Sequence, residues 1–301
     1  MRKVFLSLVA VLLCGVTFAQ TISIGSEEDF MKIGKDDAYP ANGSYILTKN
    51  LNLGTYATDN NFVITTFSGT FNGNNHTITY QASFTATNNA KIGLFGTVSG
   101  TIKNLNLDAD ITVGGQGSNV RVGLLCGEFQ HNTNAETVIE FCNVTGNINS
   151  TVKAGTIGHA STGLIIGSNL DTLRYCTGHG NVTGVGYVGG LVGSMGTVAE
   201  DNNYSENWWE EKLYKPLIRG CYFTGNVTAN NSSTGAATAL EGFFGLFNIE
   251  VGLQSFAGGI CGTMRKPAKI ELCVAEAIIV VGQNAAGITN TTLGGGDCVV
   301  N

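Results

Sequence analysis

Glycine-flanked apolar phrases recur along the chain: Ile92-Gly-Leu-Phe-Gly96, Val122-Gly-Leu-Leu-Cys-Gly127, Thr162-Gly-Leu-Ile-Ile-Gly167, Val188-Gly-Gly-Leu-Val-Gly193, Ala257-Gly-Gly-Ile-Cys-Gly262 and the weaker Ala285-Ala-Gly-Ile288. A second phrase alternates with them, as Phe141-Cys-Asn-Val-Thr-Gly-Asn-Ile148, Tyr175-Cys-Thr-Gly-His-Gly-Asn-Val182 and Gly220-Cys-Tyr-Phe-Thr-Gly-Asn-Val227. The first phrases are spaced by about 30, 40 and 27 residues before a longer gap. A loosely kept period of this size, with insertions, marks a solenoid in which each repeat is one supersecondary unit.

The content of a unit decides which solenoid. Thr101-Ile-Lys-Asn-Leu-Asn-Leu107 alternates apolar and polar residues and is bounded by Gly and Asn, the pattern of a short strand between turns. Helical repeats need about ten or more residues of 3.6-residue periodicity per helix, and no unit contains them. Composition agrees: 42 of 301 residues are Gly, 3 are Pro and 13% are charged. So few charges beside 43% hydrophobic residues exclude disorder. The missing Gly-X-Y period excludes collagen, and the glycine content excludes coiled coils. Three short strands and three turns per repeat predict one coil of a parallel β-helix, with Gly and Asn at corners that need φ > 0 or local side-chain bonding.

The phrases Gly-Leu-Phe-Gly, Gly-Gly-Leu-Val-Gly and Cys-Tyr-Phe-Thr-Gly-Asn-Val-Thr resemble the GLUG repeat of exported bacterial proteins. The upstream Gly43-Ser-Tyr-Ile-Leu-Thr-Lys-Asn-Leu-Asn-Leu53 and Phe67-Ser-Gly-Thr-Phe-Asn-Gly-Asn-Asn-His-Thr-Ile78 are similar to the segment that leads into such repeats. Together they cover about residues 22 to 290. The resemblance implies an all-β, right-handed parallel β-helix on an exported, often surface-displayed protein, and it supplies no catalytic residues. Repeats after residue 235 depart from the pattern.

The termini set further expectations. Arg2 and Lys3, the apolar run Val4 to Leu13 and Thr17-Phe18-Ala19 read as a signal peptide over residues 1–19, cut before Gln20. No later stretch is long and apolar enough to span a bilayer, and Leu13 is bulky for lipidation at Cys14. Without the signal, 14 basic residues face 22 acidic ones, which argues against nucleic acid and anionic membranes as partners. Residues 20–60 read as an N-terminal cap with lead-in strands, and 61–301 as the β-helix. Ser26-Glu-Glu-Asp29, then Phe30, Ile33 and Gly34, predict a short capping helix over residues 27 to 33. The segment ending in Cys298-Val-Val-Asn301 shows no such cap, so that end reads as a truncation, a stacking surface or a site that a capping partner covers.

Seven cysteines follow the signal, without a C-x-x-C pair, so zinc-site spacing is absent. Cys126 and Cys261 share one phrase, and Cys142, Cys176, Cys221 and Cys273 each sit where an apolar run ends. This recurrence predicts small buried hydrophobes at equivalent positions, in preference to a disulfide framework.

Catalytic constellations are thin. A polygalacturonase combines Gly-His-Gly with Asn-Thr-Asp, paired Asp and Arg-Ile-Lys, and here Gly178-His179-Gly180 stands alone, so His179 reads as a turn histidine. Asp108 and Asp110 share a strand face and read as solvated acids. A calcium-fed lyase lacks its acidic loop, and Gly294-Gly-Gly-Asp297 is a single copy of a motif that works only when iterated. No catalytic residue, metal ligand or cofactor is expected.

One insertion, residues 199–217, breaks the composition with both Trp residues and five acids. Solenoid insertions project from one face, often the binding face. Trp208, Trp209 and Tyr204 could stack on a sugar ring, with Asp201, Glu206 and Glu210 accepting hydroxyl hydrogen bonds. The alternative is a short amphipathic helix whose Trp208 and Leu213 pack on the coil. The expectation is a secreted or surface-displayed, non-catalytic protein that binds a glycan or a surface protein. A polysaccharide-active enzyme and a structural spacer are the rivals.

Overall fold

A coil of this protein starts as Thr101–Lys103, turns into Asn106–Gly117, bends through Arg121–Val122 and Cys126–Phe129, and returns at Val138–Glu140 to pair in parallel with its own start. The computed structural model describes residues 20–54, 63–134, 137–154, 160–196, 216–230, 255–265, 268–281, 284–286, 289–293 and 299–300. Among the described residues the strands sort into four parallel sheets of nine, eight, six and seven strands. We number them I to IV in the order the coil visits them. The chain is a parallel β-helix, with one short helix among the described residues.

Register follows from the side chains that point inward. Tyr45, Phe71, Ile102, Ile139, Leu173, Ile218 and Ile270 are in-register partners along sheet I, all buried. A one-residue slip would turn this column to solvent, which fixes the pairing. At the N-terminal end Phe30, Phe67, Phe71 and Phe95 interlock, with Phe30 edge-on to Phe71 at 5.9 Å. Phe30 comes from the helix Glu27–Lys32, whose first turn is closed by Ser26 Oγ accepting from the Asp29 N–H at 3.1 Å.

From Thr70 onward each coil contributes a strand to each of the four sheets, where three strands per coil were expected. The Gly-Leu-x-Gly phrase is a corner that divides one stretch into a short sheet III strand and a sheet IV strand, as in Lys91–Ile92 and Phe95–Val98. Glycine is required there for contact: a β-carbon on Gly127 would stand 2.5 Å from the backbone nitrogen of Ile92. Absence of that carbon lets the backbones of sheets III and IV touch.

The cysteines form the expected column. Cys142, Cys176, Cys221 and Cys273 stand on successive coils directly before the register partners Asn143, Thr177, Tyr222 and Val274. Every described cysteine is a free thiol, and all but Cys273 are buried. The backbone N–H of Cys176 lies 3.5 Å from Cys221 Sγ, and that of Cys221 lies 3.5 Å from Cys273 Sγ.

Candidate ligand-binding face

Alternation along sheet II puts aliphatic side chains such as Leu107, Val144, Val182 and Val227 in the core and short polar ones outside. Five successive strands, Thr77–Ala86, Asn106–Gly117, Asn143–Ser150, Thr177–Val185 and Tyr222–Asn230, carry these outward residues in register. One column reads Gln81, Asp110, Asn147, Asn181, Asn226, and all of it is exposed. Beside it run Thr79, Asp108, Thr145, His179, Thr224 and Ser83, Thr112, Asn149, Thr183, Thr228.

The central column is a directional amide ladder. Asn226 Nδ2 donates to Asn181 Oδ1 at 2.7 Å, Asn181 Nδ2 to Asn147 Oδ1 at 2.8 Å, and Asn147 Nδ2 to Asp110 Oδ1 at 2.8 Å. The backbone N–H of Asn147 also reaches Asp110 Oδ1, at 2.9 Å, and that of Asn181 reaches Asn147 Oδ1 at 3.2 Å. A column nearer the corner repeats the device: Thr177 donates to Asn143 at 2.7 Å, and Asn143 to Asn106 at 2.9 Å. Ladder bonds fix the side-chain rotamers before any ligand arrives. A shallow depression of about 730 Å³ lies over the first coils, lined by Gln81, Ser83, Asp110, Thr112, Asn147 and Asn149 among others.

The corner between sheets I and II edges this face. Asn104, Phe141, Tyr175, Gly220 and Leu272 occupy it on successive coils, all with φ between 52° and 61°. Asn and Gly adopt that conformation readily, whereas for bulky residues it is strained. Phe141 and Tyr175 nonetheless stand there half exposed, stacked at 5.2 Å with rings 17° apart. On the sixth coil the face turns apolar, with exposed Val274 and Ile278 in place of Tyr222 and Asn226. Glu276, which accepts from the Tyr222 hydroxyl at 2.9 Å, pushes that phenol's pKa up.

Asp108 and Asp110 lie exposed on one strand face, as the alternation predicts. His179 is not a turn residue: it sits inside strand Thr177–Val185, half-buried between Thr145 and Thr224. Gly180 beside it is a strand glycine in register with Gly146 and Gly225. Trp208, Trp209, Tyr204, Asp201, Glu206 and Glu210 lie outside the described residues, as do residues 1–19 and Gly294 to Asp297.

Sequence reading passed over two polar clusters that depend on long-range contact. Glu128, 4% exposed, is paired with Lys91, lies 3.4 Å from Arg121 and accepts from Gln130 at 2.8 Å. Asp171 takes His131 Nδ1 at 2.6 Å, the Thr137 hydroxyl and the Thr172 N–H at 2.7 Å. The signal for the first was a carboxylate within an otherwise buried strand, and for the second nothing local. Among the described residues no group of three or more His, Cys, Asp or Glu is placed to hold a metal ion, and no helix is long and apolar enough to cross a membrane.

No protein-family model and no curated protein matches this sequence. Among solved structures the chain is similar to a candidate immunoglobulin A1 protease from Bacteroides ovatus, at a TM-score of 0.56 and 15% identity over 91% of this chain and 72% of that one. At that identity the two share the β-helix architecture.

Proposed function

We propose that this chain is an exported, surface-displayed β-helix that binds glycan without chemically altering it. The supporting observation is the outer face of sheet II, where preorganised Asn, Thr and Asp side chains repeat in register over five coils. Hydroxyl-rich ligands suit such a surface: each sugar hydroxyl both donates and accepts, and the laddered side chains lose little rotamer entropy on binding. The signal-like N-terminus and the GLUG-like phrases support export.

A glycan array probed with the chain, beside an activity screen on plant and host polysaccharides, tests the proposal. Selective retention of uncharged glycans without release of products is the expected result. Product release abolished by His131→Ala would replace it with a polysaccharide-active enzyme built on the His131–Asp171 pair. A chain that binds nothing and cleaves nothing would leave the spacer role.

A further inference from the structure

We infer that the ligand of the sheet II face is an ordered, uncharged polysaccharide surface, such as crystalline cellulose or chitin, and not a single soluble chain. The inference rests on the glycan-binding reading above and narrows it.

Three properties of the face carry the argument. The first is its lattice. In-register parallel strands repeat the same side chain about every 4.8 Å along the axis, and outward residues two apart recur about every 6.6 Å along a strand. Asn147, Asn181 and Asn226 hold their place in that lattice through bonds to one another. Side-chain ladders of this kind stabilise flat, untwisted sheets.

Shape is the second. The depression over Asp110 and Asn147 is shallow and open to solvent, so one oligosaccharide would bury little surface. Each contact is worth about 1 kcal/mol or less after water is displaced, and only many simultaneous contacts overcome the cost of association. A solid that repeats its hydroxyl groups over the same distances engages several coils at once, and the gain is that of multivalency.

Charge is the third. The outward side chains of the five strands include Asp108 and Asp110 and no Lys or Arg. Uronates, sulfated chains and nucleic acid would meet repulsion, whereas a neutral polymer of β-linked hexose units meets hydrogen-bonding groups alone. The half-exposed Phe141–Tyr175 pair at the edge adds ring surface of the kind that sugar C–H groups pack on.

The test is co-sedimentation of the chain with microcrystalline cellulose and with crystalline chitin, repeated against the soluble hexasaccharides of the same sugars. Depletion by at least one solid, not competed by its hexasaccharide, is expected. Thr145→Arg with Asn149→Arg, two exposed positions on the middle strand, should lower the partition to the solid by about tenfold or more. Thr172→Arg on sheet I should leave it unchanged. If the double variant does not fold by circular dichroism, Asn149→Arg alone serves. Binding to soluble hexasaccharide as strong as to the solid would overturn the inference and leave the glycan reading standing. Array and solids both negative would overturn both. Undiminished binding by the folded variants would place the contact on another surface.

Discussion

A β-carbon on Gly180 would fall on the carbonyl oxygen of Gly146, its register partner one coil earlier. Gly146 meets Ala109 in the same way, and Gly225 meets Gly180, and these three glycines have φ of 133° to 149°. The column is a close approach of neighbouring coils that only a residue without a side chain allows. Gly180→Ala is expected to cost about 3 kcal/mol, because neither the clash with backbone nor the φ can relax. Gly114→Ala, whose β-carbon would meet nothing within 4 Å, should change stability by about 0.5 kcal/mol or less. Urea unfolding of both variants makes the comparison, and equal losses would refute the close-approach account.

The same residues show what the sequence can convey. Phe141-Cys, Tyr175-Cys and Gly220-Cys align in the sequence, and their cysteines stack in the fold, because a repeat whose core position is unchanged must return to that position each coil. Strand type and inward alternation were legible for the same reason. His179 was misread because flanking glycines usually mean a turn, whereas here Gly178 makes room for Leu191 and Gly180 for the previous coil. The sequence reading placed Asn at corners, whereas Asn147, Asn181 and Asn226 stand in register within strands of sheet II. Which face this ladder paves depends on register between coils, and no single unit carries that information. Glu128 showed only as a carboxylate in an apolar stretch, and its partners Lys91 and Arg121 were invisible, since the three meet only when sheets III and IV fold together.

That cluster makes its own prediction. Glu128 is held among two cations and the Gln130 amide, so Glu128→Gln removes the charge both cations face while preserving shape. Breaking a buried ion pair from one side is strongly destabilising. Lys91 keeps 30% of its side chain in solvent, which moderates the loss to about 2 kcal/mol. Because the carboxylate is buried, adding salt should not reproduce the effect. A loss that salt does reproduce would show the pair to be a surface one.

Alkaline pH should unfold the chain through its buried phenols. Burial pushes the Tyr80 hydroxyl far above its ordinary value, and it donates to the Leu124 carbonyl at 2.6 Å. Burial, with Tyr39 nearby, pushes Tyr45 up to about 12. Unfolded tyrosine gives up its proton near pH 10, so above that pH the folded state holds more protons than the unfolded one. Stability therefore declines from about pH 10 through 12 and beyond, and is unaffected by these groups below that window. Tyr80→Phe should cost about 1 kcal/mol at neutral pH and flatten the alkaline decline. Denaturation midpoints between pH 8 and pH 12 report the slope, and an unchanged slope would exclude Tyr80 as its source.

Thiol labelling should follow position in the cysteine column. Among the described cysteines Cys273 alone is half-buried, and the others are sealed. An alkylating reagent is expected to modify Cys273 slowly in the folded chain, because contact with Cys221 and burial push its pKa up and leave little thiolate. Cys126, Cys142, Cys176 and Cys261 should react only on unfolding. Peptide mapping after native and denaturing alkylation distinguishes them, and native labelling of Cys126 or Cys176 would contradict the closed column.

Tyr175 is where stability and binding can be separated. Its φ of 54° is costly for an aromatic residue, yet Asn104 holds φ 53° at the equivalent corner two coils earlier. Tyr175→Asn therefore keeps the turn and relieves strain of about 1 kcal/mol. The same change gives up the stack on Phe141, worth about 0.5–1.5 kcal/mol. The two effects nearly cancel, so the unfolding midpoint should hardly move. Adsorption to crystalline polysaccharide should weaken, because the ring leaves the edge of the laddered face. A loss of stability above about 2 kcal/mol would make the pair a structural staple, since stacking would then outweigh backbone relief. Unchanged stability with unchanged adsorption would leave the corner outside the binding surface and confine recognition to the Asn and Thr columns.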